Sequence, residues 1–251
     1  MAEVVDLWDK LKRYFAFTSN EVKGLVIAIL ATAFIISFND WGKGSEVNIS
    51  SGFFNFFNAI LIVTLSFLVH ISMQRVWSLG TGYRLEWRMW GFGLLLGLIF
   101  VFLTNGKFWL ILPGGIIVYH LAGHRLGWFR YGINWWALGL IALMGTFATM
   151  LLALVFKAIS GFFVNALMQK MITFNIVYAM YSLLPIPPLD GSKTFYGSRM
   201  LYAFSTAGLV AAAVMLTLNI SILIAVAASL LIATVLWLLY YIFFEWKAWY
   251  P

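Results

Sequence analysis

The chain has 251 residues, of which 63% are hydrophobic and 10% charged, with a mean hydropathy of +0.93. That excess excludes an ordinary soluble globular domain and predicts an all-α polytopic membrane protein, organised as a single membrane domain over 1–251. Cysteine is absent, which excludes disulfides and thiolate metal sites, and the +7 net charge is spread over short loops, without the dense basic run that nucleic acid needs.

Over residues 3–15, Val4, Leu7, Trp8, Leu11 and Phe15 share one side, with Glu3, Asp6, Lys10 and Arg13 opposite. This spacing predicts an interfacial helix within a segment 1–17, and the early acidic residues do not fit a signal peptide. Thr18-Ser-Asn-Glu21 reads as a capping box that opens an apolar span from Val22 to Phe38. A polar loop over 39–51 leads to a second span, Phe53 to Trp77, which carries His70 toward its end. Lys10, Lys12, Arg13 and Lys23 precede or begin span one, Arg75, Arg84 and Arg88 follow span two, and the loop between holds only Lys43. The bias predicts a cytoplasmic N-terminus in the cell membrane, with the His70 end of span two on the same side.

A third span is expected over Met89 to Thr104, where Gly93-Leu-Leu-Leu-Gly97 would allow close helix contact. Residues 105–134 read as a short membrane-associated β-hairpin: Ile116 to Tyr119 as one strand, a turn at Ala122-Gly123, and a return over Leu126 to Tyr131. Trp128, Trp135 and Trp136 fit an interfacial belt. A span from Trp135 to Ile159, a linker through Lys170 and a helix from Met171 to Leu184 follow. The last two spans are Gly197 to Thr217 and Ile220 to Phe244, and the aromatic-rich end from Trp237 to Tyr250 reads as an anchor, for about six or seven transmembrane helices in all.

The stretch after Met171 carries the chemistry. Pro185, Pro187 and Pro188 lack backbone donors, so the arriving helix must break near Leu184. Asp190 follows between apolar runs, and an ionisable group at that depth marks a functional site by default. Gly191 would let the chain turn directly after it. Asp190 could hold a metal, cap the next helix, or pair with Lys193 or Arg199, and these readings stay open.

Asn175 and the run Leu183-Leu-Pro-Ile-Pro-Pro-Leu-Asp-Gly191 resemble the third-ligand motif of the site-2 protease family of intramembrane zinc metalloproteases. The family's other motif, His-Glu-x-x-His, is matched by His70-Ile-Ser-Met-Gln74. His70 stands at the first ligand, Ile71 at the general base and Gln74 at the second ligand. Further similarity, over residues 18–200, runs through Arg84 to Gly93, which looks like the archaeal members, Leu112-Pro-Gly-Gly115 with Val118-Tyr119, and Ala142 to Thr149. In the last of these Thr146 replaces a Pro and Thr149 an Asn. Ser182 stands where an Asn is usual. Residues 201–251 add C-terminal transmembrane helices to this core.

The resemblance implies that Asp190 and His70 are vestigial zinc ligands and that no catalytic residue is intact, because Ile71 cannot take a proton and Gln74 offers only a neutral amide oxygen. The expected function is that of a pseudoprotease. It would bind a transmembrane segment of another integral membrane protein, as subunit, adaptor or regulator of a membrane complex. The groove would be built by Asn175, Ser182, Pro185, Pro187, Pro188 and Gly191. Lipids are the other expected partners, and no cofactor is expected. The alternative is an active protease that holds zinc with non-standard ligands, Gln74, His120 or His124, and with Glu86 as the nearest acidic candidate for a base. For His120 and His124, metal sharing on one helix face competes with bonds to backbone carbonyls or headgroups. Glu86 reads most simply as a charge partner of Arg84 or Arg88. His70 itself could equally be a neutral, hydrogen-bonded histidine of a helix bundle.

Overall fold

A computed structural model describes residues 2–43, 46–121, 132–161, 165–218 and 220–246. The chain forms two compact units, Met1–Asn134 and Trp135–Pro251.

In the first unit, helix α1 (Ala2–Tyr14) holds its charges in i,i+4 pairs, Asp6 with Lys10 and Asp9 with Arg13. Thr18 then caps α2 (Ser19–Ser37) through the expected box: its hydroxyl accepts from the Glu21 amide and the Glu21 carboxylate accepts from the Thr18 amide. The polar loop forms two short strands, β1 (Gly42–Lys43) and β2 (Glu46–Val47), before α3 (Ile49–Gly80). Phe53, Phe54, Phe57, Leu61, Leu65 and Leu68 give α3 an exposed apolar face, which suits lipid and would be costly in water. Gly82 takes a positive φ of 84° just beyond α3, and the Ser78 hydroxyl donates to the Tyr83 carbonyl across the turn.

The next element adds a strand that the sequence did not suggest. Residues Tyr83–Met89 form strand β3, and β4 (Gly114–His120) pairs with it antiparallel, from Tyr83 opposite His120 to Met89 opposite Gly114. The strand expected at Ile116–Tyr119 exists, but its partner lies upstream, across helix α4 (Gly91–Leu103). The expected return over 126–131 lies outside the described residues. Tyr83, Leu85 and Trp87 point to the core, and Arg84, Glu86 and Arg88 point away. Gly93 and Gly97 do permit a close approach, but largely to extended backbone: a Cβ on either would stand 2.5 Å from the carbonyl oxygen of Leu112 or Leu110.

The second unit contains α5 (Trp135–Ser160), α6 (Ala166–Ser182), α7 (Asp190–Gly197), α8 (Arg199–Thr217) and α9 (Ile222–Tyr240), which continues as one π-helical stretch to Glu245. Met150 and Ala153 of α5, Ile172, Ile176 and Ala179 of α6, and Leu209, Ala213 and Leu216 of α8 form a shared core. The linker before α6 is shorter than expected, because Asn165 caps the helix from Ala166.

Five helices among the described residues are long and apolar enough to cross a membrane: Ser19–Asp40, Ile49–Gly80, Trp135–Ser160, Arg199–Thr217 and Ile222–Glu245. The protein is therefore membrane-like and mostly helical. The expected third span is a helix of only 13 residues, or about 20 Å, against a hydrocarbon core of about 30 Å. Helix α6, with 17 residues, spans about 26 Å before the prolines stop it.

Candidate functional site

On α3, His70 and Gln74 stand one turn apart on one face, with Ile71 beside them; their exposures are 1%, 0% and 0%. The frame behind this turn is an ion pair that the sequence did not reveal. Arg75, 2% exposed, donates to the carbonyls of Phe15 and Ala16 at 2.8 and 3.0 Å and to the Glu21 carboxylate. Its guanidinium also lies 4.0 Å from the centre of the Phe17 ring. Glu21 accepts from the Trp87 amide at 2.8 Å as well as from Thr18. One buried pair thus joins the α1–α2 elbow, α2, α3 and β3. Glu21 looked like a cap alone and Arg75 like a topology charge, and nothing in the sequence links two residues 54 positions apart.

In the second unit the Pro-rich break is fixed by backbone contact. Helix α6 ends at Ser182, Pro185 and Pro187 are exposed, and the Pro187–Pro188 bond is cis. The Leu189 amide closes the loop on the Ile186 carbonyl at 2.8 Å. The chain turns at Gly191 as expected, without a positive φ; the residue's role is space. A Cβ there would overlap the carbonyls of Leu183 and Leu184. The loop is thereby pressed onto the end of α6. Helix α7 packs as tightly on α5, with the Cα of Gly139 3.0 Å from where a Gly197 Cβ would stand. The Thr194 hydroxyl reaches the Asp190 and Gly139 carbonyls at 3.1 and 3.3 Å.

Asp190 is buried, at 3% exposure, as the first residue of α7. The cap position belongs to Leu189, so Asp190 is not the cap residue; it sits in the first turn, where the helix dipole favours an anion. Its titratable neighbours are Lys193 and the buried Tyr178. Lys193 turns its ammonium to the Pro188 and Leu189 carbonyls. Burial lowers the pKa of Lys193 from its ordinary value, and Asp190 opposes that shift. Arg199, the other expected partner, meets Glu245 at 3.9 Å.

Two departures from the family pattern meet within this unit. The hydroxyls of Thr146 on α5 and Ser182 on α6 lie 2.9 Å apart, both buried, and Ser182 also bonds the Ala179 carbonyl. Thr149 folds onto the Gly145 carbonyl at 2.7 Å. Asn175 donates to the Met171 carbonyl, while its Oδ1, fully buried, has no hydrogen-bond partner among the described residues. Of the expected groove residues, Asn175, Ser182 and Gly191 are therefore buried, Pro185 and Pro187 are exposed and Pro188 is half-buried.

The residues considered as substitutes occupy other settings. His120 ends strand β4, so the i,i+4 helix-face argument for a metal does not hold for it, and His124 lies outside the described residues. Glu86 is the local charge partner expected, 3.6 Å from Arg84. It points away from α3, because its neighbour Trp87 is the residue that packs on Phe67 of α3. Among the described residues no three His, Asp or Glu side chains gather as a metal-ligating group. The α3 donors are one imidazole and one neutral amide, next to an aliphatic side chain that cannot act as a base. That donor set does not fit a catalytic zinc, which takes three imidazole, carboxylate or thiolate ligands plus water.

One comparison bears on the family. A protein of Methanocaldococcus jannaschii, provisionally named zinc metalloprotease MJ0611, is 28% identical over 196 residues, covering 75% of this chain and 90% of that protein. No family model and no solved structure matches the chain. The similarity is to a protein named as a zinc metalloprotease, and the chain that shares it has the apolar helices of a membrane protein.

Proposed function

We propose that this protein is a catalytically inactive, site-2-protease-like membrane protein that binds a transmembrane segment of a partner, as subunit, adaptor or regulator of a membrane complex. The observation that carries the reading is Ile71, an aliphatic side chain with 0% exposure at the position of the general base. Loss of a general base alone costs about 10²–10⁴ in rate. Gln74 weakens the donor set beside it. The backbone of the Pro-rich break, by contrast, is kept by contacts that need no metal. His70 and Asp190 are then vestiges of the ligand set, the scaffold retains its partner surface, and no cofactor is required. The protein would sit in the cell membrane with its N-terminus in the cytoplasm.

The test is metal content and cleavage. The purified chain in mild detergent should carry zinc near background. Ile71→Glu with Gln74→His should bring it toward one per chain, reversed by His70→Ala or Asp190→Ala. Stoichiometric zinc in the unmodified chain, lost in both alanine variants, would overturn the proposal, as would zinc-dependent cleavage of a membrane substrate. The second reading, an active metalloprotease with unusual ligands, draws on the name of the M. jannaschii protein and predicts that result. Because the chain has no cysteine, a single Cys placed near residue 5 reports the side of the N-terminus to an impermeant thiol reagent.

A further inference from the structure

Away from the α3 face and the Pro-rich break, the first unit contains an open pocket of about 320 Å³ with charged and aromatic side chains in its lining. Its walls come from three elements: Tyr14 at the end of α1, Arg84 and Glu86 on β3, and Tyr119 and His120 on β4. The ribbon register explains the cluster. Arg84 stands opposite Tyr119, and alternation puts Arg84, Glu86 and Arg88 on the same outward face. Arg88 donates to the Tyr119 hydroxyl at 3.2 Å, which holds that phenol, and the Tyr83 ring backs His120 at 5.1 Å between centres. A guanidinium and two phenols therefore surround one space, with a second guanidinium tied to one of the phenols and His120, which the register sets opposite Tyr83, at its edge. Among the described lining residues the one opposing group is the Glu86 carboxylate, 3.6 Å from Arg84.

The setting says where such a ligand would come from. Helix α1, which supplies Tyr14, carries Lys10, Lys12 and Arg13, and exposes Val5 and Trp8 at 67% and 61%. The helix also carries Glu3, Asp6 and Asp9, so its net charge is zero, but its last turn, beside Tyr14, is basic through Lys12 and Arg13. An amphipathic helix with exposed apolar side chains suits the headgroup level of a membrane. Arginine with tyrosine hydroxyls is a donor set for phosphate oxygens, which accept from guanidinium in bidentate fashion. We propose that this cavity binds a phosphate-type anion: the phosphodiester headgroup of an anionic lipid, or a soluble phosphate reaching the membrane surface.

The paired residues make the test discriminating. Arg84→Gln and Glu86→Gln break the same ion pair, so a purely structural role would move both variants the same way. A phosphate site moves them in opposite directions. The full chain, delipidated in detergent, is titrated with phosphatidylglycerol, phosphatidylcholine and inorganic phosphate, with bound lipid counted by native mass spectrometry and melting followed by tryptophan fluorescence. We expect phosphatidylglycerol to bind about tenfold or more tightly than phosphatidylcholine, to weaken by about tenfold in Arg84→Gln and to tighten in Glu86→Gln. If inorganic phosphate alone reproduces that pattern, the ligand is a free phosphate; if only phosphatidylglycerol does, it is a headgroup. Tyr119→Phe, which keeps both charges, should weaken binding a few-fold and serves if Arg84→Gln does not fold. The proposal is overturned if neither anion binds, or if binding is unchanged in Arg84→Gln and Tyr119→Phe, or if both members of the ion pair shift it in the same direction.

Discussion

The α3 turn at His70 and the Pro-rich break at Asp190 hold their form by different means. On α3 the backbone is a regular helix, and everything chemical rests on which side chains face inward at 70, 71 and 74. An aliphatic or amide side chain of the right size fills such buried space without altering the helix, as Ile71 and Gln74 do. At the break the backbone itself is the packing surface. Gly191 lies against the Leu183 and Leu184 carbonyls, and Gly197 against the Trp135 carbonyl and Gly139, so one added methyl at either has no room. A side chain can therefore change at the first place without loss of fold, whereas at the second the shape of the backbone resists change.

The most disruptive test of this contrast is Gly191→Ala. Its Cβ would overlap backbone oxygen, which cannot rotate aside, so the loop must lift off α6. A loss of about 3 kcal/mol or more is expected, seen as a fall in melting temperature or in folded yield. Gly91→Ala is the control: a Cβ there meets nothing within 4 Å, and stability should hold. Equal tolerance of both would break the comparison. In the first unit the counterpart of the glycine contacts is electrostatic. Arg75→Met strands the buried Glu21 carboxylate and should cost about 3–5 kcal/mol, whereas Glu21→Gln with Arg75→Met should recover much of it. Denaturant titration of the two singles and the double measures the coupling, and a coupling under about 0.5 kcal/mol would remove the pair as the frame of the α3 turn.

The sequence exposed what is local. The capping box at Thr18, the break before Pro185 and the apolar runs follow from residues a few positions apart, and the structure has them. It could not expose what joins distant positions. The Glu21–Arg75 pair is one case. Strand β3 was within reach: Tyr83, Leu85, Trp87 and Met89 alternate with Arg84, Glu86 and Arg88, a period of two that the neighbouring apolar run obscured. Gly191 was read as a turn residue because its actual constraint, close approach to another segment, leaves no mark in the sequence beyond the glycine itself. The candidate residues could be named from the motif, yet their burial could not: the prolines are outward and Asn175 and Ser182 inward because α6 packs against α5 and α8.

The smallest expected effect concerns the two hydroxyls that meet between α5 and α6. Thr146→Val and Ser182→Ala each remove one side of a buried 2.9 Å bond, at about 1 kcal/mol. Ser182 keeps its bond to Ala179, so Thr146→Val should be the milder change. In the double variant no orphaned hydroxyl remains, and its cost should fall short of the sum of the singles. Additive costs would mean that the two groups do not depend on each other. Ser182→Asn sharpens the point, because asparagine is the residue that the motif leads one to expect there. Thr146 already occupies the space within hydrogen-bonding distance, so the larger amide must displace it and destabilise the unit by more than Ser182→Ala does. A shorter residue at Thr146 should relieve that strain, with Thr146→Ala rescuing Ser182→Asn in thermal melts. Such a rescue would show that departures from the family pattern here compensate one another, and that single reversions cannot retrace them.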